Sequence, residues 1–234
     1  MRQRFGLDRP GLLAYLGLLG VACRSAPGPV VPAAAEAVSA DQVAQWVAST
    51  TPTDRQLHRF KWLFKDERAS AGGRGSARVA PPDSMRFDVA GPFGSGAASA
   101  VVVGDRAIWV EPPDALSKMI PNYPLMWAMF GVARMPPEGV NLRGLAQGST
   151  TAWQYAGSSD TVEYARTLGD PVRFVAVVRQ AGRLVGRAET DLAPNGTPLK
   201  ARLTVPSAPA QLDLTFLSTK RASFAPDIWL PRKP

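Results

Sequence analysis

The sequence predicts a mainly β domain in which an antiparallel meander curls into a barrel or half-barrel, with one helical insert. Many short segments alternate apolar and polar residues with period two and are joined by turns containing Gly or Pro. One long stretch, Asp114 to Val132, instead repeats its apolar residues at spacings of three and four. A third feature sets the context: the chain opens with an export signal.

Arg2, Arg4 and Arg9 form a positive start, and Gly11 to Ala22 is an unbroken run of apolar or small residues ending at Leu19-Gly20-Val21-Ala22-Cys23. That run is twelve residues long, whereas a bilayer core needs about 20. Residues 1–22 therefore read as a lipoprotein signal peptide that is removed, leaving Cys23 to carry lipid. Such signals usually place Leu three residues before the cysteine; here that position is Gly20, with Leu19 one step further out. Ordinary secretory cleavage nearby is the alternative and would leave Cys23 a free thiol. As the sole cysteine it forms no internal disulfide and no CxxC pair.

Removing residues 1–22 from the 234 leaves 212, within the range of a single domain. It also removes Arg2, Arg4, Arg9 and Asp8, taking the formal charge from +8 to +6. Such a surface favours anionic partners, either phospholipid headgroups or an acidic protein face. No basic run interleaved with aromatics forms a nucleic-acid strip, so no nucleic acid is expected. Most of the cations are expected on solvated strand faces.

After Cys23, Arg24 to Val38 carries Pro27, Pro29 and Pro32 among small residues and reads as a flexible tether, residues 23–38. The folded domain is expected over 39–234. A helix should begin there, with Ser39 as N-cap and Gln42 completing a capping box, and with Val43, Trp46 and Val47 on one face. From Leu57 the period becomes two: Phe60, Trp62 and Phe64 alternate with Lys61, Leu63 and Lys65, and Met85, Phe87 and Val89 alternate with Arg86 and Asp88. Further strands are expected over 75–79, 98–103, 107–110, 151–155, 161–168, 173–179, 183–189, 199–205 and 211–217. Gly104-Asp105, Gln180-Ala181-Gly182 and Pro206 to Pro209 are expected as hairpin turns. In the insert, Leu116, Met119, Ile120, Leu125, Met126, Met129 and Phe130 are interrupted by Pro121 and Pro124, which predicts two short helices with a kink. Four of the six Met lie at 119, 126, 129 and 135. Clustered Met suits a surface that repacks around irregular apolar guests, although a helix capping one end of a sheet would carry the same pattern.

The parts of an enzyme are missing. His58 is the only histidine, with no Cys or carboxylate cluster to complete a metal site, and is expected as a surface or edge-strand residue. No G-x-S-x-G elbow is present. Gly72-Gly73-Arg74-Gly75 lacks the Lys-Ser/Thr ending of a phosphate loop and reads as a hairpin turn. Glu163 and Glu189 are isolated and expected to point outward. No catalytic residue, metal or cofactor is expected.

Three segments carry a family resemblance: Pro82-Asp83-Ser84-Met85-Arg86-Phe87-Asp88-Val89-Ala90-Gly91-Pro92-Phe93-Gly94-Ser95-Gly96, Leu125-Met126-Trp127-Ala128-Met129-Phe130-Gly131-Val132, and the closing Trp229-Leu230-Pro231. In this order the chain from Ser39 onward resembles the LolA/LolB-like carriers and outer-membrane receptors of lipoprotein localisation. The resemblance implies an open antiparallel β-barrel, or half-barrel, covered by short α-helices. Its apolar concave face would accept lipoprotein acyl chains without covalent chemistry. On that view Trp62, Phe64, Met85, Phe87, Leu116, Met119, Ile120, Leu125, Met126, Met129 and Phe130 form the acyl-chain cavity and its lid. Phe93 matches the exposed residue of the family's membrane-insertion loop, where Leu is usual; its glycine-rich surroundings favour exposure, and folding back over the barrel mouth is the alternative. Arg24 stands where an aspartate would mark inner-membrane retention in the proteobacterial pathway. The implied protein is a monomer anchored by lipid to the outer membrane, facing the periplasm, with lipoprotein acyl chains, the phospholipid membrane and a periplasmic carrier protein as partners. Two further readings use the same half-barrel: an assembly or sensing module of the envelope, and a soluble periplasmic carrier with Cys23 unlipidated.

Overall fold

Residues 29–92 and 96–231 are described by a computed structural model. Its thirteen strands are β1 (Glu36–Ala37), β2 (Gln56–Lys65), β3 (Ser70–Ala80), β4 (Ser84–Ala90), β5 (Ala98–Val103), β6 (Arg106–Glu111), β7 (Asn141–Gln147), β8 (Thr150–Ala156), β9 (Asp160–Thr167), β10 (Val172–Gln180), β11 (Arg183–Leu192), β12 (Pro198–Val205) and β13 (Ala210–Arg221). They form one sheet in the order β1-β7-β8-β9-β10-β11-β12-β13-β2-β3-β4-β5-β6. Two hairpin meanders, β2–β6 and β7–β13, are sewn together by the long β13–β2 pairing. β1 and β6 remain as separate edges, so the curled sheet is an open antiparallel barrel, the architecture expected from the sequence.

The alternation in β2 sets the two faces. His58, Phe60 and Trp62 are buried while Arg59, Lys61 and Leu63 are exposed. Residues opposite one another in an antiparallel ladder share a face, so Leu212, Leu214 and Phe216 of β13 join Phe64, Trp62 and Phe60 on the inside. At one end of the interior, Phe60 stacks on Phe87 with centroids 5.5 Å apart, and Phe130 and Phe216 meet it edge-on. At the other, Trp46, Trp153, Tyr164 and Phe174 form a ladder with centroid spacings of 5.7, 5.4 and 5.9 Å. Trp46 comes from α1 (Ala40–Ala48), which starts as expected with Ser39 Oγ accepting the Gln42 N–H at 3.2 Å.

Three expectations are corrected. The glycine-rich run 72–75 lies inside β3, not in a turn; the turn is at 66–69, where Asp66 Oδ1 accepts the N–H groups of Arg68 and Ala69. The glycines allow close approach: a Cβ on Gly73 would strike the Ala90 carbonyl, and one on Gly75 would enter the Phe60 ring. Strand β7 was not expected, because Gly144 interrupts its alternation. A Cβ there would come within 2.7 Å of the Trp46 ring. His58, expected at the surface, is 1 % exposed.

His58 is hydrogen-bonded to Thr219 Oγ1 at 2.9 Å and packed against Phe130 and Phe216. Burial lowers its pKa to about 4 from the ordinary 6.5. The unfolded chain therefore binds this proton more readily than the native one. Stability from a neutral His58 is complete above pH 6.5 and is lost as the pH falls towards 4, by about 3 kcal/mol. Urea midpoints between pH 6.5 and 4 should fall more steeply for the wild type than for His58→Gln, which cannot charge; parallel curves would contradict this.

The first and last of the described segments lie on the outer face of the sheet. Of the stretch read as a tether, the described part is seated: the Val30 and Val31 N–H groups donate to Glu163 Oε2 at 2.7 and 3.2 Å, and Arg143 donates to the Ala33 and Ala35 carbonyls. Val31 and Ala35 pack on Ala152. Glu163 thus points outward as expected but is only 2 % exposed, roofed by this segment and paired with Arg179 at 3.2 Å. Glu163→Ala strands the two N–H groups, and limited proteolysis between Val30 and Ala35 should accelerate while the barrel stays intact. An unchanged rate would show that Glu163 does not hold the segment. At the other end, a 3-10 turn at Pro226–Trp229 lies over Arg86, whose Nη1 donates to the Ile228 and Leu230 carbonyls at 2.6 and 3.1 Å. Trp109 Nε1 donates to the Trp229 carbonyl at 2.8 Å.

Candidate functional site

β6 is an edge of the sheet and β7 sits next to the other edge. The connection between them, residues 112–140, carries the two predicted helices, α2 (Ala115–Met119) and α3 (Tyr123–Ala128). α2 packs on β5 and β6 and α3 on β10 and β11, so the insert crosses the concave face. Pro124 occupies the first turn of α3, where its missing N–H costs nothing. Gly131, at φ +76, ends the segment in the left-handed region, and a Cβ there would come within 2.7 Å of Leu192 Cδ2.

The insert fills the trough. Leu125, Met126, Trp127, Ala128, Met129 and Phe130 are all at most 4 % exposed. All eleven residues expected as cavity and lid fall in one apolar cluster: Trp62, Met85, Phe87, Leu116, Ile120, Leu125, Met126, Met129 and Phe130 are buried in it, and Phe64 and Met119 pack against it half-buried. Cys23 and Phe93, expected as lipid anchor and membrane-insertion residue, lie outside the described residues. Sequence reading missed other members of the lining. Trp153, Tyr164 and Phe174 sit on strands whose alternation was recognised but whose inward phase was not assigned; Trp127 was quoted only within a motif. The large size of these four was the available signal, since such side chains contribute most when buried.

Five hydrogen bonds pin the insert beyond its packing. Tyr123 OH accepts the Ala107 N–H, Trp127 Nε1 donates to the Gly104 carbonyl, and Thr190 Oγ1 donates to the Ala128 carbonyl, at 3.1, 2.9 and 2.8 Å. Thr50 Oγ1 accepts the Ala133 N–H at 2.9 Å and Tyr164 OH the Arg134 N–H at 3.2 Å. Beneath α2 a residual cavity of about 10 Å³ remains, lined by Phe87, Val89, Ala100, Val110, Leu116 and Met119 among others. That is about the space of one water. An acyl chain therefore enters only if part of the insert moves.

The interior offers apolar contact and little else. Burial holds His58 neutral and pushes the Tyr155 and Tyr164 hydroxyls well above the ordinary phenol range. Among the described residues no group of three His, Cys, Asp or Glu could hold a metal ion. None of the described helices is long and apolar enough to cross a membrane.

No protein-family model matches the sequence, and no curated protein matches it. Solved structures do share the fold. A DUF1329 family protein from Desulfovibrio piger aligns with TM-score 0.50 at 7 % identity, over 82 % of this chain and 95 % of its own. A LolA superfamily protein from Nitrosomonas europaea aligns with TM-score 0.41 at 11 % identity, over 83 % of this chain and 99 % of its own. A Vibrio parahaemolyticus domain assigned to outer membrane lipoprotein sorting aligns with TM-score 0.37 at 10 % identity, over 82 % and 97 %. At such identities the likeness is one of fold, and the Desulfovibrio match carries it.

Proposed function

We propose that this chain is a lipid-anchored envelope protein that binds the acyl chains of lipoproteins in its trough and helps localise them to the outer membrane. One observation carries the reading: the concave face is a continuous apolar surface whose occupant is the β6–β7 insert, a loop segment rather than part of the barrel wall. Burial of alkyl chain yields about 0.8 kcal/mol per methylene, enough to replace the contacts of a short insert. α2 is the element suited to open first. It is five residues long, its N-cap Asp114 makes no side-chain capping bond, and Met119 is half-buried. Release of α2 would extend the small cavity over Phe87 and Val110 towards Phe64 and Trp62. The names of the neighbours, a LolA superfamily protein and a lipoprotein-sorting domain, are consistent with a carrier.

Anchoring through Cys23 and an outer-membrane location are part of the proposal, supported by the export signal and by Arg24 after the cysteine. No covalent step is involved. Titration with a dansylated fatty acid tests the binding directly. Saturable binding at one site, with the probe's emission shifted towards that of an apolar medium, is expected. Absence of saturation, or binding unaffected by changes in the trough, would overturn the reading.

A further inference from the structure

The outward face of β2, β3 and β4 has a charge imbalance that the trough does not use. These strands carry Arg59, Lys61, Lys65, Arg74, Arg78 and Arg86 against a single acid, Asp88. Asp88 is already shared, accepting from Arg78 Nη1 at 2.7 Å and Arg86 Nε at 3.0 Å. Arg59, Lys61 and Arg74 are exposed and form no ion pair among the described residues.

Register brings these three together. Lys61 and Arg74 are direct partners across the β2–β3 ladder, which places their Cβ atoms about 5 Å apart with like charges facing, a destabilising arrangement. Arg59 is two residues from Lys61 on the same face, about 7 Å along the strand, and stands opposite Ser76. Beside the triangle is an open depression whose polar lining is Arg59, Arg74, Ser76, Ser99, Ser218 and Asp88, the last already engaged by Arg78 and Arg86, with Leu217 from the β13 bulge beside them. Leu217 is 53 % exposed and Leu63, nearby on β2, 37 %.

We propose that the outer face of β2 and β3 docks on anionic phospholipid headgroups, with a phosphate held among Arg59, Lys61 and Arg74. The charge complementarity is direct: an anion there removes the Lys61–Arg74 repulsion. The outward positions of β2–β4 hold no aromatic residue, so of the side chains that anchor protein–protein interfaces, Trp, Tyr and Arg, only Arg is present. Long cationic stems and isolated leucines suit a headgroup layer instead. The assignment does not rest on the carrier reading, because none of these residues faces the trough.

Vesicle sedimentation with the full chain tests it, comparing phosphatidylcholine vesicles with and without phosphatidylglycerol. The variant is Arg59→Gln/Lys61→Gln/Arg74→Gln, and the control neutralises three exposed cations elsewhere, Arg106→Gln/Arg183→Gln/Lys220→Gln. The apolar N-terminal segment is common to all three proteins, so differences report the faces. Each cation near an anionic surface is worth about fivefold in affinity, so the triple variant should lose roughly 100-fold on phosphatidylglycerol vesicles and little on pure phosphatidylcholine. The control should bind like the wild type, and wild-type binding should weaken with salt. Equal losses in variant and control would overturn the proposal. So would release of the wild type from vesicles by millimolar inorganic phosphate, which would assign the triangle to free phosphate, or loss in the triple variant of an acidic protein partner with vesicle binding intact. Fatty-acid binding should be the same in all three proteins, so the two readings fail independently.

Discussion

Met126→Asp is expected to unfold the domain. Met126 is fully buried at the centre of the insert, between α3's neighbours Leu125 and Trp127. Truncation of a buried Met alone costs about 2–5 kcal/mol, and an unpaired carboxylate in an apolar interior adds several more. The sum is comparable to the whole stability of a typical domain, about 5–15 kcal/mol. Circular dichroism melts should show the cooperative transition lost or moved down by more than about 10 °C. A melting temperature close to wild type would mean that the insert is held far more loosely than its burial implies. Charged substitution at Phe87, 2 % exposed, has the same expectation.

Met119→Asp is expected to behave differently. Met119 is half-buried at the end of α2, beside the residual cavity and reached from solvent. In the unliganded protein the carboxylate can stay hydrated, so the melting temperature should change by only a few degrees. With an acyl chain under α2 the same carboxylate would face alkyl carbon. Desolvating it without a partner costs several kcal/mol. Fatty-acid affinity should fall by at least about tenfold, while Met119→Leu should retain it. A folded Met119→Asp protein that binds the probe as well as the wild type would place the ligand elsewhere than under α2.

The sequence made the strands legible because their faces differ. In β2, Phe60, Trp62 and Phe64 alternate with Lys61 and Lys65, and the hairpin turns carry Gly104 and Gly182 at positive φ. What escaped were positions where the partner, not the segment, determines the residue. Gly144 looks like a break until the Trp46 ring is seen against it, and Gly73 and Gly75 look like a turn until the Ala90 backbone and the Phe60 ring are seen against them. Glu163 and the proline-rich stretch before Ser39 were each legible as polar or extended. Their mutual burial was not, since they are separated by more than a hundred residues. Helical spacing and strand alternation pointed to residues that share one apolar cluster. That the insert crosses the trough follows from β6 lying at one edge of the sheet and β7 next to the other, a fact of topology that no local pattern carries.

The acyl-chain reading is tested most directly by native mass spectrometry of the protein purified from a bacterial envelope in mild detergent. A stoichiometric acylated species should travel with the wild type and be missing from folded Met119→Asp. Wild-type protein that emerges empty, and stays empty when offered purified lipoprotein, would contradict the account.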